Sequence, residues 1–369
     1  MGIADEYRSD GEFLAKEWAK AYRQGRLPKS LCSDAIGGSY VEAVALGALI
    51  ESLTGIRENN SQRGLISQGK ILWTQQGSPH FNLTASAAAA FVLTDTAGLR
   101  WEDVRMPFDR FLITLPDPSP ITFDDYNGNE RSVCSIFVQQ CSTPNLSNTD
   151  LGPVMLAIQD AWNDQDDVRL RAYVKNLKEA PTLFVQASSP MIQVTNPHTG
   201  LASFVYEGIH RIYKGHTDPN ETLATWCDPD QSSNSNWQSE RSRYSMSLVC
   251  RLVASLCLYL DHSQGPAKWD KSKIDANRSK GRGHTCWDIG REIKLPKDLR
   301  EAARNLGRAD RHPTQWALQS RKIVRGHWRN QPCGKGFSER RRKWIEPYFK
   351  GPETGDVIQT LYSVGRQTD

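Results

Sequence analysis

The residues from Ser320 to Gly351, SRKIVRGHWRNQPCGKGFSERRRKWIEPYFKG, can fold in few ways. Two β-prone runs, Lys322 to Gln331 and Arg342 to Phe349, flank the breaker Pro332-Cys333-Gly334-Lys335-Gly336. That pattern predicts a β-hairpin with a long, glycine-rich tip. The stretch carries ten Lys/Arg against two acids, and Trp328, Phe337, Trp344, Tyr348 and Phe349 are threaded through it. Period-two alternation puts Val324, Gly326 and Trp328 on one face, and Arg321, Ile323, Arg325, His327 and Arg329 on the other. Tryptophans at strand spacing suit a core, and a charge run suits a solvated surface. The cationic face with its central histidine is nonetheless the part of the chain best matched to a polyanion.

The net charge of +4 conceals an asymmetry. Residues 261 to 369 hold 24 Lys/Arg and 13 Asp/Glu, leaving 22 and 29 for residues 1 to 260. A basic C-terminal region on a mildly acidic body fits nucleic-acid contact, an acidic protein surface, or cohesion between the two halves.

Other chemistry finds little support. The eight cysteines include no CxxC pair, so neither a zinc ribbon nor a secreted disulfide framework is expected. Cys286 beside His284 and the trio His198, His210 and His216 lack a second close ligand pair or an HExxH motif, and no metal or cofactor is expected. There is no GxSxG elbow, phosphate loop or dinucleotide fingerprint. No helix-turn-helix or zinc finger suggests a reader of duplex DNA. Mean hydropathy is −0.57. With no long uninterrupted apolar run and no signal-peptide core near Asp5, Glu6 and Arg8, a cytoplasmic chain without membrane partners is expected.

In chain order, the periodicity predicts a helix from Asp10, as N-cap, to Arg26, with Phe13, Leu14, Trp18, Ala21 and Tyr22 in one stripe. Further helices are expected over Ser39 to Thr54 and Thr84 to Thr94, separated by a polar Gly/Asn/Gln stretch at Glu58 to Gly69. Strands follow at Phe108 to Leu115, Ile121 to Asp125 and Arg131 to Gln140, the last two joined through Asn127-Gly128. A helix at Asn163 to Lys178, a strand at Thr182 to Val194 and a long surface connection from Thr195 to Gln238 come next. Glu240 to His262 reads as a core helix, with Met246, Val249, Cys250, Val253, Leu256, Cys257 and Leu260 on one face. Pro266 to Gly283 reads as a basic linker. Asp288 to Leu295 reads as a short element, and Lys297 to Gly307 as an amphipathic helix with Leu299, Ala302, Ala303 and Leu306 facing inward. Arg300, Arg304, Arg308 and Arg311 would form a basic ridge opposite that face.

The expected class is α+β: a helical N-terminal layer over residues 1–100, an α+β core with a central antiparallel sheet over 101–262, and a basic C-terminal module over 263–369 built around the hairpin 320–351.

Arg325-Gly326-His327-Trp328, a glycine-containing spacer and Trp344-Ile345-Glu346-Pro347 resemble the C-terminal RGHW…G…WIxP pattern of a type V-A anti-CRISPR family. Its other relatives are mostly uncharacterised proteins of phages and mobile elements. Ile289-Gly290-Arg291-Glu292-Ile293, the Arg-rich stretch with Gly307, the helix Leu248 to Leu260 and the run Phe111 to Pro116 have looser counterparts. The resemblance covers the C-terminal third well, the middle weakly and residues 1 to 100 scarcely. It implies action on production of the CRISPR effector nuclease rather than on the finished enzyme.

Three functions are compatible with these residues. In the first, Arg321, Arg325, Arg329, Arg340, Arg341, Arg342 and Lys343 grip RNA phosphates, helped by Lys335 and by Arg304, Arg308 and Arg311. His327 and Trp328 belong to that surface, and Phe337 at the tip would stack on unpaired bases. The resemblance adds a purpose: lowering production of a target protein by engaging its message, its nascent chain or the ribosome. In the second, a metal-independent ribonuclease uses His327 as acid or base, Arg325 or Arg329 against phosphate charge, and Glu346 if it faces His327. In the third, the basic region recognises a specific protein through an acidic or disordered peptide.

Overall fold

The computed structural model describes residues 3–27, 32–55, 60–96, 99–100, 103–125, 128–144, 179–195, 202–214, 240–262, 286–306, 321–335, 338–350 and 357–358. Its elements give an α+β protein. The helices are α1 (Ile3–Arg23), α2 (Tyr40–Thr54), α3 (Asn60–Gln75), α4 (Ala85–Val92), α5 (Glu240–His262) and α6 (Lys297–Asn305). The strands of the main sheet are β1 (His80–Leu83), β3 (Arg110–Thr114), β6 (Ser135–Pro144), β7 (Glu179–Thr195), β8 (Ala202–Lys214) and β9 (Cys286–Ile289), in the order β8-β7-β6-β3-β1-β9. Smaller ladders use β2 (Thr94–Asp95), β4 (Thr122–Asp124), β5 (Glu130–Ser132), β10 (Arg321–Val324), β11 (Gly326–Cys333), β12 (Glu339–Ile345), β13 (Tyr348–Lys350) and β14 (Val357–Ile358).

The antiparallel sheet expected in the centre is present over β3, β6, β7 and β8. Its other half differs: β1 runs parallel to both β3 and β9. Residues 1–100, 101–262 and 263–369 thus each contribute a strand to one sheet. Side chains alternate across it. Phe81, Phe111, Ile113, Ile136, Val138 and Val185 face the large core made with α4 and α5. Leu112 and Phe137 face the opposite side, against Tyr7 of α1 and Trp73 of α3. Helices therefore cover both faces of the sheet.

Asp10 is no N-cap. The first helix begins at Ile3, Asp10 lies inside it and pairs with Lys70 at 2.9 Å, and Phe13 of the expected stripe is 56% exposed. The polar stretch after Glu58 is α3 from Asn60 onward. Its glycines are points of close approach rather than breakers: a Cβ on Gly64 would stand 1.8 Å from the Ala43 carbonyl oxygen, and one on Gly69 2.1 Å from Gln139 Oε1. The long connection after Thr195 contains β8, paired with β7 over most of its length.

Elsewhere the local chemistry reads true. Ser39 caps α2 through a reciprocal box with Glu42, and Gly55 closes it in the left-handed conformation. Thr84 caps α4. The β4–β5 hairpin turns at Gly128, with φ of 79°. Helix α5 is long and apolar enough, by composition, to cross a bilayer, but 78% of that window is buried inside the protein. The expected helix at Asn163 to Lys178, the linker Pro266 to Gly283 and residues His198, His216 and His284 lie outside the described residues.

Candidate functional site

The basic hairpin forms, in two tiers. In the upper tier, β11 and β12 pair antiparallel from His327↔Ile345 to Cys333↔Glu339, and β11 also runs parallel to β2. In the lower tier, β10 pairs with β13 through Ile323↔Phe349 and Val324↔Tyr348, while β14 adds a parallel strand. The tail residues Val357 and Ile358 thus dock.

The tiers are joined at Arg325 and at Glu346-Pro347, and the inward phase changes there. Ile323 and Phe349 pack on the main core below the joint, Trp328 and Trp344 above it. The single alternation expected through Arg325, which left Ile323 on the basic face, is broken at this corner.

The RGHW and WIEP motifs hold the corner down. Gly326 is buried against β2, where a Cβ would come within 2.9 Å of Thr94 Oγ1, 3.0 Å of Pro347 Cδ and 3.1 Å of the Ile345 carbonyl oxygen. Trp344 Nε1 donates to Thr94 Oγ1 at 3.2 Å, and the Thr94 hydroxyl donates to the Ala90 carbonyl at 2.8 Å. Trp344 also meets Phe91 and Tyr259 with ring centroids 5.7 Å away in each case. Trp328 lies 4.7 Å from the His262 ring. These tryptophans anchor the hairpin to α4 and α5, and Trp328 presents a half-buried ring to protein neighbours.

Register then sorts the charges. His327, Arg329 and Gln331 stand opposite Ile345, Lys343 and Arg341 on the face turned away from the tryptophans. Arg329, Arg341 and Lys343 are exposed and form no ion pair among the described residues. Arg329 and Lys343 are directly opposed like charges, an arrangement that lowers strand-pair stability. His327 is half-buried, with Nδ1 3.3 Å from the Arg325 carbonyl oxygen. Its cross-strand partner is Ile345; Glu346 follows as an exposed residue at the corner.

The tryptophan-bearing face continues distally into Asn330, Arg340 and Arg342. With Asp103, Arg105, Asp261 and His262 these residues line a groove of about 370 Å3. Arg342 pairs with Asp103 at 2.9 Å. The arginine triplet is therefore split: Arg341 faces outward, Arg340 borders the groove, and Arg342 ties the hairpin to the body.

Among the other expected site residues, Lys335 is exposed at the tip, Arg304 is half-buried on α6, and Arg325 is half-buried at the joint. Arg321 stands in register with Val357. Phe337, Arg308 and Arg311 lie outside the described residues. The groove residues Asp103, Arg105, Asp261, His262 and Asn330 were not legible beforehand, because only the tertiary fold brings them beside the hairpin. Among the described residues, no cluster of His, Cys, Asp and Glu suits a metal ion.

The fold is thus a helix-covered α+β sheet with an anchored basic hairpin. Residues 81–350 match the AcrVA2-like family, the anti-CRISPR type V subtype A2 family, and the chain belongs to it. Among solved structures, the crystal structure of AcrVA2 aligns with 94% of this chain and 96% of its own at 10% identity. The TM-score of that alignment is 0.39. No curated protein sequence matches the chain significantly.

Proposed function

We propose that this anti-CRISPR-family protein lowers production of its target protein by engaging RNA, at the message or on the ribosome that translates it, through the outer face of the hairpin. The observation that carries this reading is the opposed pair Arg329 and Lys343, with Arg341 beside it, held exposed on a ribbon anchored by two tryptophans. Like charges in register cost stability in isolation; phosphates bound beside them offset the repulsion, and the counterions released from the polyanion favour binding. A nascent chain with acidic residues is the competing partner for the same cations.

A ribonuclease finds less support. His327 stands opposite Ile345 and not Glu346, so the ladder does not pair the two groups that would divide the acid and base roles.

The test is crosslinked affinity purification from cells, with and without nuclease, comparing the native chain with an Arg329→Glu/Lys343→Glu variant. Enrichment of one message or of ribosomes, lost on nuclease treatment and lost in the variant, supports the proposal. A single protein partner that survives nuclease would replace RNA with a peptide or protein ligand.

A further inference from the structure

We infer that the lower tier of the hairpin is a stacking platform for unpaired bases, with Tyr348 as the ring, so that the RNA recognised is single-stranded. This rests on the reading of the hairpin as an RNA site and specifies the form of RNA it takes.

Tyr348 is 45% exposed, one of three large hydrophobic side chains exposed among the described residues, and it lies on the basic ribbon. Its strand neighbour Phe349 turns inward to the core, so alternation sets Tyr348 outward. Val324 stands opposite Tyr348, and the next same-face position on its strand is the exposed Lys350, in register with Lys322. The same order recurs past the corner: the half-buried Ile345 and His327 are followed by the opposed cations Lys343 and Arg329. Each tier therefore carries an apolar or aromatic pair next to exposed cationic side chains, Lys350 below the corner and Arg329 with Lys343 above it.

That pattern suits a strand whose bases and phosphates are both accessible. Aromatic side chains bind any base through its π-face, while cations follow the backbone. A duplex hides those faces in its stack, and A-form RNA also closes its major groove to side chains. The lower tier's contacts with the main core come from Ile323 and Phe349, and Tyr348 is not among them.

The experiment is fluorescence anisotropy of the full chain with a short labelled oligouridylate, a duplex RNA of equal length, and polyglutamate as a non-nucleic polyanion. The variants are Tyr348→Thr, which keeps β-propensity without the ring, Tyr348→Phe, which keeps the ring, and Arg341→Glu/Lys343→Glu. Thermal melting confirms that each is folded. The expected result is preference for the single strand, a loss of about tenfold in Tyr348→Thr, and native affinity in Tyr348→Phe. Duplex binding should be indifferent to Tyr348.

Native single-strand affinity in Tyr348→Thr, with binding lost in the charge variant, overturns the platform and leaves the RNA site standing. Equal binding of polyglutamate with no dependence on Tyr348 also overturns it. A native chain that binds neither RNA defeats both readings. If Tyr348→Thr does not fold, Tyr348→Leu replaces it and is read in the same way.

Discussion

Asp103 and Arg342 meet at 2.9 Å, so three consecutive arginines at 340 to 342 have three different jobs. Reversing all three would test stability and binding at once. Arg342→Glu alone is expected to lower stability by about 1 kcal/mol, since both side chains are partly exposed. Adding Asp103→Arg should restore most of the loss. Arg341→Glu should leave the melting temperature unchanged. Denaturant titration of the double-mutant cycle reads this directly.

Binding should separate from folding on the outer face. Single Arg329→Ala, Arg341→Ala and Lys343→Ala variants are each expected to fold normally and to reduce the slope of log affinity against log salt by about one. Unchanged slopes would place the anion site elsewhere. His327→Ala should leave bound RNA intact and its length distribution unaltered; new stability of the RNA in that variant would revive the nuclease.

Gly326→Ala is expected to destabilise by about 1–3 kcal/mol, because the added methyl meets Thr94, Pro347 and the Ile345 carbonyl within 3.1 Å. Trp344→Phe should cost less, through the lost hydrogen bond to Thr94, at about 1 kcal/mol. Near-ultraviolet circular dichroism would show the tryptophan cluster loosening in both.

Gly64→Ala is the more severe test of the helical layer. Its Cβ would lie 1.8 Å from a backbone oxygen of α2, which no rotamer change can relieve. Loss of soluble, folded protein is expected; a folded variant with native stability would mean that α2 and α3 pack otherwise.

Alkaline stability follows from two thiols. Burial pushes Cys134 from 9.0 up to about 11, and burial raises Cys257 further still. The folded chain therefore holds protons that the unfolded chain releases above pH 9. Stability from this source is complete below pH 9 and is lost as pH rises toward 11. Urea midpoints across that range should fall, and the Cys134→Ala variant should fall less steeply.

The hairpin was legible because its alternation and its Pro-Cys-Gly-Lys-Gly tip are local properties, and so were the caps at Ser39 and Thr84. The fault line at Arg325 was not, since the switch from Ile323 to Trp328 as the inward residue depends on what each tier packs against. Helix α3 was hidden by its own composition. Gly64 and Gly69 signal a loop in isolation, and only neighbours at α2 and β6 turn them into contact points. Strand β8 was masked by the Asn, Asp, Pro and His residues around it. The role of Asp103 depends on a partner far away in sequence and leaves no local trace.

During synthesis, β1 emerges long before its second neighbour exists. Asn82 and Asp288, which meet across the β1–β9 pair, are 206 residues apart in the chain. The anchoring contact between Thr94 and Trp344 spans 250 residues. Closing such distances is slow compared with local folding. At about 5–20 residues per second, more than ten seconds of translation separate the two ends of either contact. Until then, one edge of the nascent sheet and part of the α4 surface stand open, and this protein passes through its own vulnerable interval on the ribosome.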